Sequence, residues 1–152
     1  MPLTVISVGK KHEDWVASGI ERYQKRFKAP FSVTWEFITP SGYKGTRARQ
    51  DESERMIQRL SAYDYVILLD EKGKELDSPQ LSSLLSDHLH QSHKVALIIG
   101  GAYGVDDTIH QKANLVWSLS PLVFPHQLVR LLLTEQLYRA QEIAAGNPYH
   151  HA

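Results

Sequence analysis

The chain has 152 residues and no cysteine. That excludes thiolate nucleophiles, thiolate metal sites, Fe–S ligation and disulfides. The groups left to do chemistry are histidines, tyrosines and two unusual loops. Gly100-Gly101-Ala102-Tyr103-Gly104 follows an apolar run. Its glycines let a ligand approach the backbone closely, or they make a tight turn from strand to helix. It is not the G-x-G-x-x-G of a dinucleotide site, and no Walker lysine follows. Leu119-Ser120-Pro121-Leu122-Val123-Phe124-Pro125-His126 leads from another apolar run into a long helical pattern. A loop this greasy has to be covered, either by packing under a neighbour or by sandwiching a flat ring whose polar edge the backbone reads. Leu69-Asp70 closes a third apolar run. His126 can act as a cap, as a core hydrogen bonder or as a functional group. His88, His90 and His93 read H-x-H-x-x-H. On a helix, positions i and i+2 point apart, so a solvated polar face accounts for them better than zinc, and no metal is expected. Tyr149-His150 lies at the end of the sequence, where chains fray unless pinned into a cleft.

The elements that must hold these loops alternate between strand and helix. Leu3–Val8 reads as a strand. Val16, Ile20, Tyr23 and Phe27 mark one face of a helix over 13–28, stopped by Pro30. Phe31–Ile38 alternates as a half-buried strand. Residues 40–45 are loop, and a polar helix spans about 47–61. Tyr65–Leu69, Lys94–Ile99 and Leu115–Leu119 are continuous apolar runs, as in strands covered on both faces. Ser78 followed by Pro79 reads as a cap and first turn, with Leu81, Leu84, Leu85 and Leu89 as the stripe. Asp106 or Asp107 caps a short helix through Ala113. The last helix spans about 127–145, with Gly146 at its C′ position. Its breadth of leucine points to deep packing or a subunit interface. The pattern is α/β with a largely parallel sheet. Ligands of such a sheet bind beyond the carboxyl ends of the strands, where all three loops fall.

Length and composition agree with one ordinary domain, 42% hydrophobic and 22% charged. No apolar run reaches the ~18 residues of a membrane span, and Met1-Pro2-Leu3-Thr4 does not begin a secretory signal, so a cytoplasmic protein without membrane contact is expected. The net charge of zero hides an asymmetry. Residues 1–60 hold 11 Lys/Arg against 7 Asp/Glu, while the remainder hold 6 against 10. A basic half suits an anionic partner such as RNA, although the neutral total gives no general pull on nucleic acid.

Taken together, Ile99-Gly100-Gly101, the run LSPLVFPHQLVR (Leu119 to Arg130), TEQLYRA (Thr134 to Ala140) and NPYHH (Asn147 to His151) resemble one family. Val8 to Lys10, Asp14 to Val16 and LDEKGK (Leu69 to Lys74) agree. The chain resembles, over its whole length, the bacterial large-subunit ribosomal RNA pseudouridine N3-methyltransferases of H type, in the SPOUT superfamily. The resemblance implies a single SPOUT domain over 1–152, its C-terminal part (about 95–152) threaded as a deep trefoil knot. It implies a homodimer joined through the last helix. It implies S-adenosylmethionine bound by Leu69, Gly100, Gly101, Leu119, Ser120, Pro121, Leu122, Val123 and Phe124. The implied reaction is methylation at N3 of a pseudouridine in helix 69 of 23S rRNA within the assembled 70S ribosome. That chemistry needs alignment of N3 with the methyl donor and removal of the N3 proton. Candidate bases are His126 and His150. Tyr149 would position or stack on the target. Arg139 would hold a phosphate or ring oxygen, or pair with Glu135 at the interface. Lys10, Lys11, Arg22, Lys25, Arg26, Lys28, Lys44, Arg47 and Arg49 form the expected RNA footprint. Another SPOUT specificity, or an assembly factor without catalysis, are the competing readings.

Overall fold

The computed structural model describes residues 3–151. Leu3–Val8 (β1), Val33–Ile38 (β2), Tyr65–Glu75 (β3), Val95–Ile99 (β4) and Leu115–Ser118 (β5) form one sheet in the order β2-β1-β4-β3-β5. All of these neighbours pair in parallel, as expected. The helices are Asp14–Gln24 (α1), Gly45–Leu60 (α2), Ser78–His90 (α3), Asp107–Lys112 (α4) and His126–Ala144 (α5).

The period of two in the strands sorts the core into two layers. Leu3 and Val5 of β1, Ile67 of β3 and Leu97 of β4 face Leu81, Leu85 and Leu89 of α3 and Leu133 and Leu137 of α5. Ile6, Val66, Leu68 and Ile98 face the other way, toward Met56 and Leu60 of α2 and Ile109 of α4. With both faces covered, the strands need no polar side, which explains the continuous apolar runs.

α1 lies alongside α5 and runs in the same direction. The Glu13 N–H donates to Gln127 Oε1 at 3.0 Å. Ring centroids of Tyr23 and Tyr138 stand 5.5 Å apart. The Lys28 N–H reaches Gln141 Oε1 at 2.7 Å. Both helices therefore start at the carboxyl edge of the sheet and end at the opposite edge. α1 stops at Gln24, short of Lys28: the Arg26 N–H turns back to the Tyr23 carbonyl at 2.8 Å, and α5 takes the Lys28 amide.

Two further details differ from expectation. Asp77, not Ser78, caps α3, in a reciprocal box: its carboxylate accepts the Gln80 N–H at 2.8 Å, and Gln80 Oε1 accepts the Asp77 N–H at 2.9 Å. Ser78 instead donates its hydroxyl to Gln136 of α5 at 2.7 Å. β3 also continues well past Leu69. Leu69 and Lys74 both stand opposite Trp117, so residues 70–73 arch out of the sheet before the strand rejoins β5. Gly73 anchors the arch. A Cβ there would lie 2.6 Å from the Val116 carbonyl oxygen, so only glycine fits. At the end of α5, Gly146 adopts φ +73° and closes the helix as expected.

Candidate active site

The three strand-end turns converge. The β3 arch, the turn after β4 and the loop after β5 enclose a cavity of about 720 Å³, within the ~300–1,000 Å³ usual for small-molecule sites. Leu69 lines it from β3, and Gly100 and Gly101 line it from the turn after β4. Leu119, Ser120, Leu122, Val123 and Phe124 line it from the long loop, and His126 from the first turn of α5. Pro121 belongs to the same loop but does not face the cavity. A second cavity, of about 560 Å³ and lined in part by Tyr65, Lys74 and Leu84, shares no lining residue with the first.

The glycine turn is held from below. His126 Nε2 lies 2.6 Å from the Gly100 carbonyl oxygen. A carbonyl only accepts, so Nε2 carries the proton. Burial, with Arg130 nearby, pushes the His126 pKa down and keeps the ring neutral, against the opposing pull of that hydrogen bond and of Glu52. Beneath Gly101 lies Glu52, which sequence reasoning missed. It is 4% exposed. Its Oε2 accepts the Ser41 N–H at 2.8 Å, while Oε1 is buried without a partner. A Cβ on Gly101 would fall 2.7 Å from that Oε1 and 3.0 Å from Val8 Cγ1. The glycine pair is thus a turn with no room behind it. A buried carboxylate in a polar helix has no periodic signature, which is why the sequence hid it.

Arg130 was also unremarked as a core residue. It is 1% exposed, and its Nη1 donates to the Lys10 carbonyl oxygen at 2.9 Å. Its guanidinium fills the space that Gly9, at φ +132°, leaves open. It ties the turn after β1 to α5, one turn below His126. His12 packs edge-on against Trp35 and Phe37 beside it, and burial together with the guanidinium lowers its pKa to about 4. On the cavity's outer wall, His110 Nε2 meets Asp70 Oδ2 at 3.2 Å, while Asp70 Oδ1 accepts the Lys72 N–H at 2.9 Å and braces the arch.

The tail is pinned, not frayed. Tyr149 donates its hydroxyl to Glu135 Oε2 at 2.8 Å. Burial first, and that carboxylate second, push its pKa up, so it remains a phenol. Arg139 grips the same carboxylate at 2.8 Å through Nη2, and donates from Nη1 to His150 Nδ1 at 3.0 Å. His150 is then an acceptor at Nδ1 and carries its proton on Nε2. The Arg139–Glu135 pair, expected across an interface, closes within α5 itself.

Cavity and tail lie at opposite ends of α5. The thirteen steps from His126 to Arg139 span about 20 Å of helix. The basic residues divide the same way. Lys10, Lys11, Lys44, Arg47 and Arg49 follow β1 and β2 at the carboxyl edge of the sheet, and Arg49 lines the cavity. Arg22, Lys25, Arg26 and Lys28 sit at the far end of α1, beside the tail. His88 and His93 meet through Nδ1 atoms 2.9 Å apart, whereas His90 is exposed. Among the described residues no three His, Asp or Glu side chains gather as a metal site, and no helix is long and apolar enough to cross a membrane.

The architecture is shared with solved structures described as methylase family proteins. A probable methylase family protein from Haemophilus influenzae Rd KW20 superposes with TM-score 0.59 at 10% identity, over 99% of this chain and 70% of that one. A putative methylase family protein from Neisseria gonorrhoeae gives 0.56 at 13%, over 99% and 85%. The chain belongs to the SPOUT methyltransferases: the family model described as "Predicted SPOUT methyltransferase" matches residues 1–150. Within that class the chain belongs to the family of its full-length relatives named ribosomal RNA large subunit methyltransferase H. That of Thioalkalivibrio sulfidiphilus (strain HL-EbGR7) is 38% identical over 99% of both chains. That of Alkalilimnicola ehrlichii (strain ATCC BAA-1101 / DSM 17681 / MLHE-1) is 40% identical over 100% of both. The chain is an enzyme of this class, a methyltransferase that uses S-adenosylmethionine. The cavity suits that molecule: apolar walls from Leu69, Leu119 and Phe124, loop backbone to meet a purine edge, and a glycine turn without side chains.

Proposed function

We propose that this enzyme methylates ribosomal RNA of the large subunit, and that its target is N3 of a pseudouridine in helix 69 of 23S rRNA on the assembled 70S ribosome, in the cytoplasm. The observation that carries the proposal is the convergence of three strand-end turns on one cavity, with a pinned Arg–Tyr–His tail at the other end of the same helix. Leu69, Gly100, Gly101 and Leu119 to Phe124 would hold S-adenosylmethionine, Pro121 by stiffening the loop. When bound, it supplies an activated methyl group on a sulfonium. His126 positions the Gly100 carbonyl through its Nε2–H, and burial, which lowers its pKa, makes it a weak base.

The target site would be built by two chains. With cavity and tail about 20 Å apart along α5, one chain cannot bring them together. Two copies packed through antiparallel α5 helices would lay each tail over the other's cavity. The same operation would join the two basic groups into one footprint, since Lys10, Lys11, Lys44, Arg47 and Arg49 of one copy would meet Arg22, Lys25, Arg26 and Lys28 of the other. Arg139 would hold a phosphate or a ring oxygen. Tyr149, fixed as a phenol, would position the base. His150 would take the N3 proton at Nδ1 once the nucleotide draws the Arg139 guanidinium toward itself. The proposal includes the trefoil knot over about 95–152, supported by the family to which the chain belongs.

The test is methyl transfer from labelled S-adenosylmethionine to 70S ribosomes of a strain lacking the enzyme, followed by mass spectrometry of the RNA. One added methyl on a pseudouridine of helix 69 is expected. Methylation of another residue would leave a SPOUT enzyme of different specificity. Transfer to no ribosomal particle would refute the proposed substrate. Sedimentation is expected to give a dimer, and a monomer that turns over would overturn the two-chain site.

A further inference from the structure

Tyr43 stands on the loop between β2 and α2 and is 48% exposed. The Arg47 guanidinium carbon sits 3.7 Å from its ring centroid, which stiffens the ring and leaves one face open to solvent. Arg47 makes no ion pair among the described residues. The loop is fixed close to the cofactor turn, because Glu52 holds the Ser41 amide with one oxygen and lies against Gly101 with the other. Two residues beyond Arg47, Arg49 lines the cavity itself and makes no ion pair among the described residues, which leaves its guanidinium for an anion. Across the mouth Tyr103, 46% exposed, also lines the cavity. An open aromatic face backed by a guanidinium, beside an unpartnered arginine, is the combination that takes an unstacked nucleobase and its phosphate.

We infer that Tyr43, braced by Arg47, is a stacking seat for an unpaired nucleotide of the RNA next to the target, with Arg49 receiving its phosphate. This rests on the RNA substrate proposed above and adds a residue to it. Reaching a base inside a folded RNA requires unstacking, and a displaced neighbour needs a surface to occupy. Stacking is indifferent to base identity, so the seat contributes affinity and register, not sequence choice.

The experiment compares wild type, Tyr43→Ala and Tyr43→Phe by co-sedimentation with 70S ribosomes, by KM and kcat for methyl transfer, and by calorimetry with S-adenosylmethionine. Removing the ring should weaken ribosome binding and raise KM about tenfold, with kcat and cofactor affinity unchanged. Tyr43→Phe should behave as wild type, because the face and not the hydroxyl does the stacking. If wild type methylates ribosomes and Tyr43→Ala matches it in KM and binding, the seat is refuted and the proposed function stands. If Tyr43→Ala loses ribosome binding while wild type transfers no methyl to rRNA, the seat stands and the proposed reaction falls. An equal loss in Tyr43→Phe would assign the effect to the hydroxyl and overturn stacking.

Discussion

Gly101→Ala tests whether the cofactor turn is set by what lies behind it. The new Cβ would fall 2.7 Å from Glu52 Oε1 and 3.0 Å from Val8 Cγ1. Neither neighbour yields easily. Glu52 is buried and held through Oε2 by the Ser41 amide, and Val8 ends a fully paired strand. The turn must therefore move outward, into the cavity. Overpacking of this kind costs about 1–3 kcal/mol. At about 1.4 kcal/mol per tenfold, strain that appears only when the turn closes on a ligand weakens binding roughly 5- to 150-fold. Strain present in both states lowers the melting temperature and leaves the dissociation constant alone. Calorimetry with S-adenosylmethionine and a thermal melt divide the total between them. Glu52→Ala removes the clash, so the double variant should recover part of what Gly101→Ala loses, a coupling of about 0.5–3 kcal/mol. Unchanged affinity together with an unchanged melt, or strict additivity in the cycle, would refute the account of this turn.

Gly100→Val should weaken cofactor binding at least tenfold by calorimetry, because a Cβ there already meets Val105 Cγ1 at 3.1 Å and a branched side chain forces the two sides of the turn apart. His126→Ala leaves the Gly100 carbonyl without its donor, and cofactor affinity should fall by about tenfold with kcat less affected. Tyr149→Phe deletes the hydrogen bond that fixes the tail to Glu135. Steady-state kinetics should show kcat down about tenfold while calorimetric cofactor affinity is unchanged. Stability should fall in acid. His12 titrates near 4 in the folded chain against 6.5 when unfolded, so the unfolded chain binds more protons between those values and stability rises with pH there. The contribution is complete above about 6.5 and lost by about 4. With discount for the ring's remaining contact with water it amounts to about 1–2 kcal/mol, readable from urea melts at pH 7 and pH 4.5.

The features legible in the sequence are those with a repeat or a local signature. Continuous apolar runs marked three of the five strands because burial on both faces leaves them no polar positions, and Gly146 marked the end of α5 because its φ of +73° favours glycine. The three turns around the cavity were legible through a rule about where parallel sheets bind ligands. What escaped notice was set by partners distant in the chain. Ser78 looked like a cap until Gln136 of α5 claimed its hydroxyl. The apolar run closes at Leu69-Asp70, and nothing local says that Lys74 and Glu75 return to pair with β5. Nothing local marks Glu52 and Arg130 as buried, and each is buried because a glycine makes room for it: Gly101 against Glu52, Gly9 against Arg130.

The direction of α1 beside α5 matters most for function, and it too is invisible in one dimension. The bonds from Glu13 to Gln127 and from Lys28 to Gln141 fix the two helices side by side in the same sense. That sense puts His126 with the cavity and Tyr149 with the far end of α1. A single chain then has a donor cavity without a base-positioning tail, and a tail without a cavity. Arg139→Glu separates this from a one-chain site. It removes the guanidinium and puts a like charge four residues from Glu135, which disrupts the tail. Mixed with a variant whose cavity is blocked, such as Gly100→Val, it should regain activity in heterodimers, where one intact cavity faces one intact tail. About a quarter of wild-type turnover is the expectation for free subunit exchange, since half the molecules carry both variants and each of those has one good site of two. Two inactive proteins that stay inactive after demonstrated exchange would mean that cavity and tail act within the same chain, and that α5 bends or the tail travels in a way the bonds between α1 and α5 forbid.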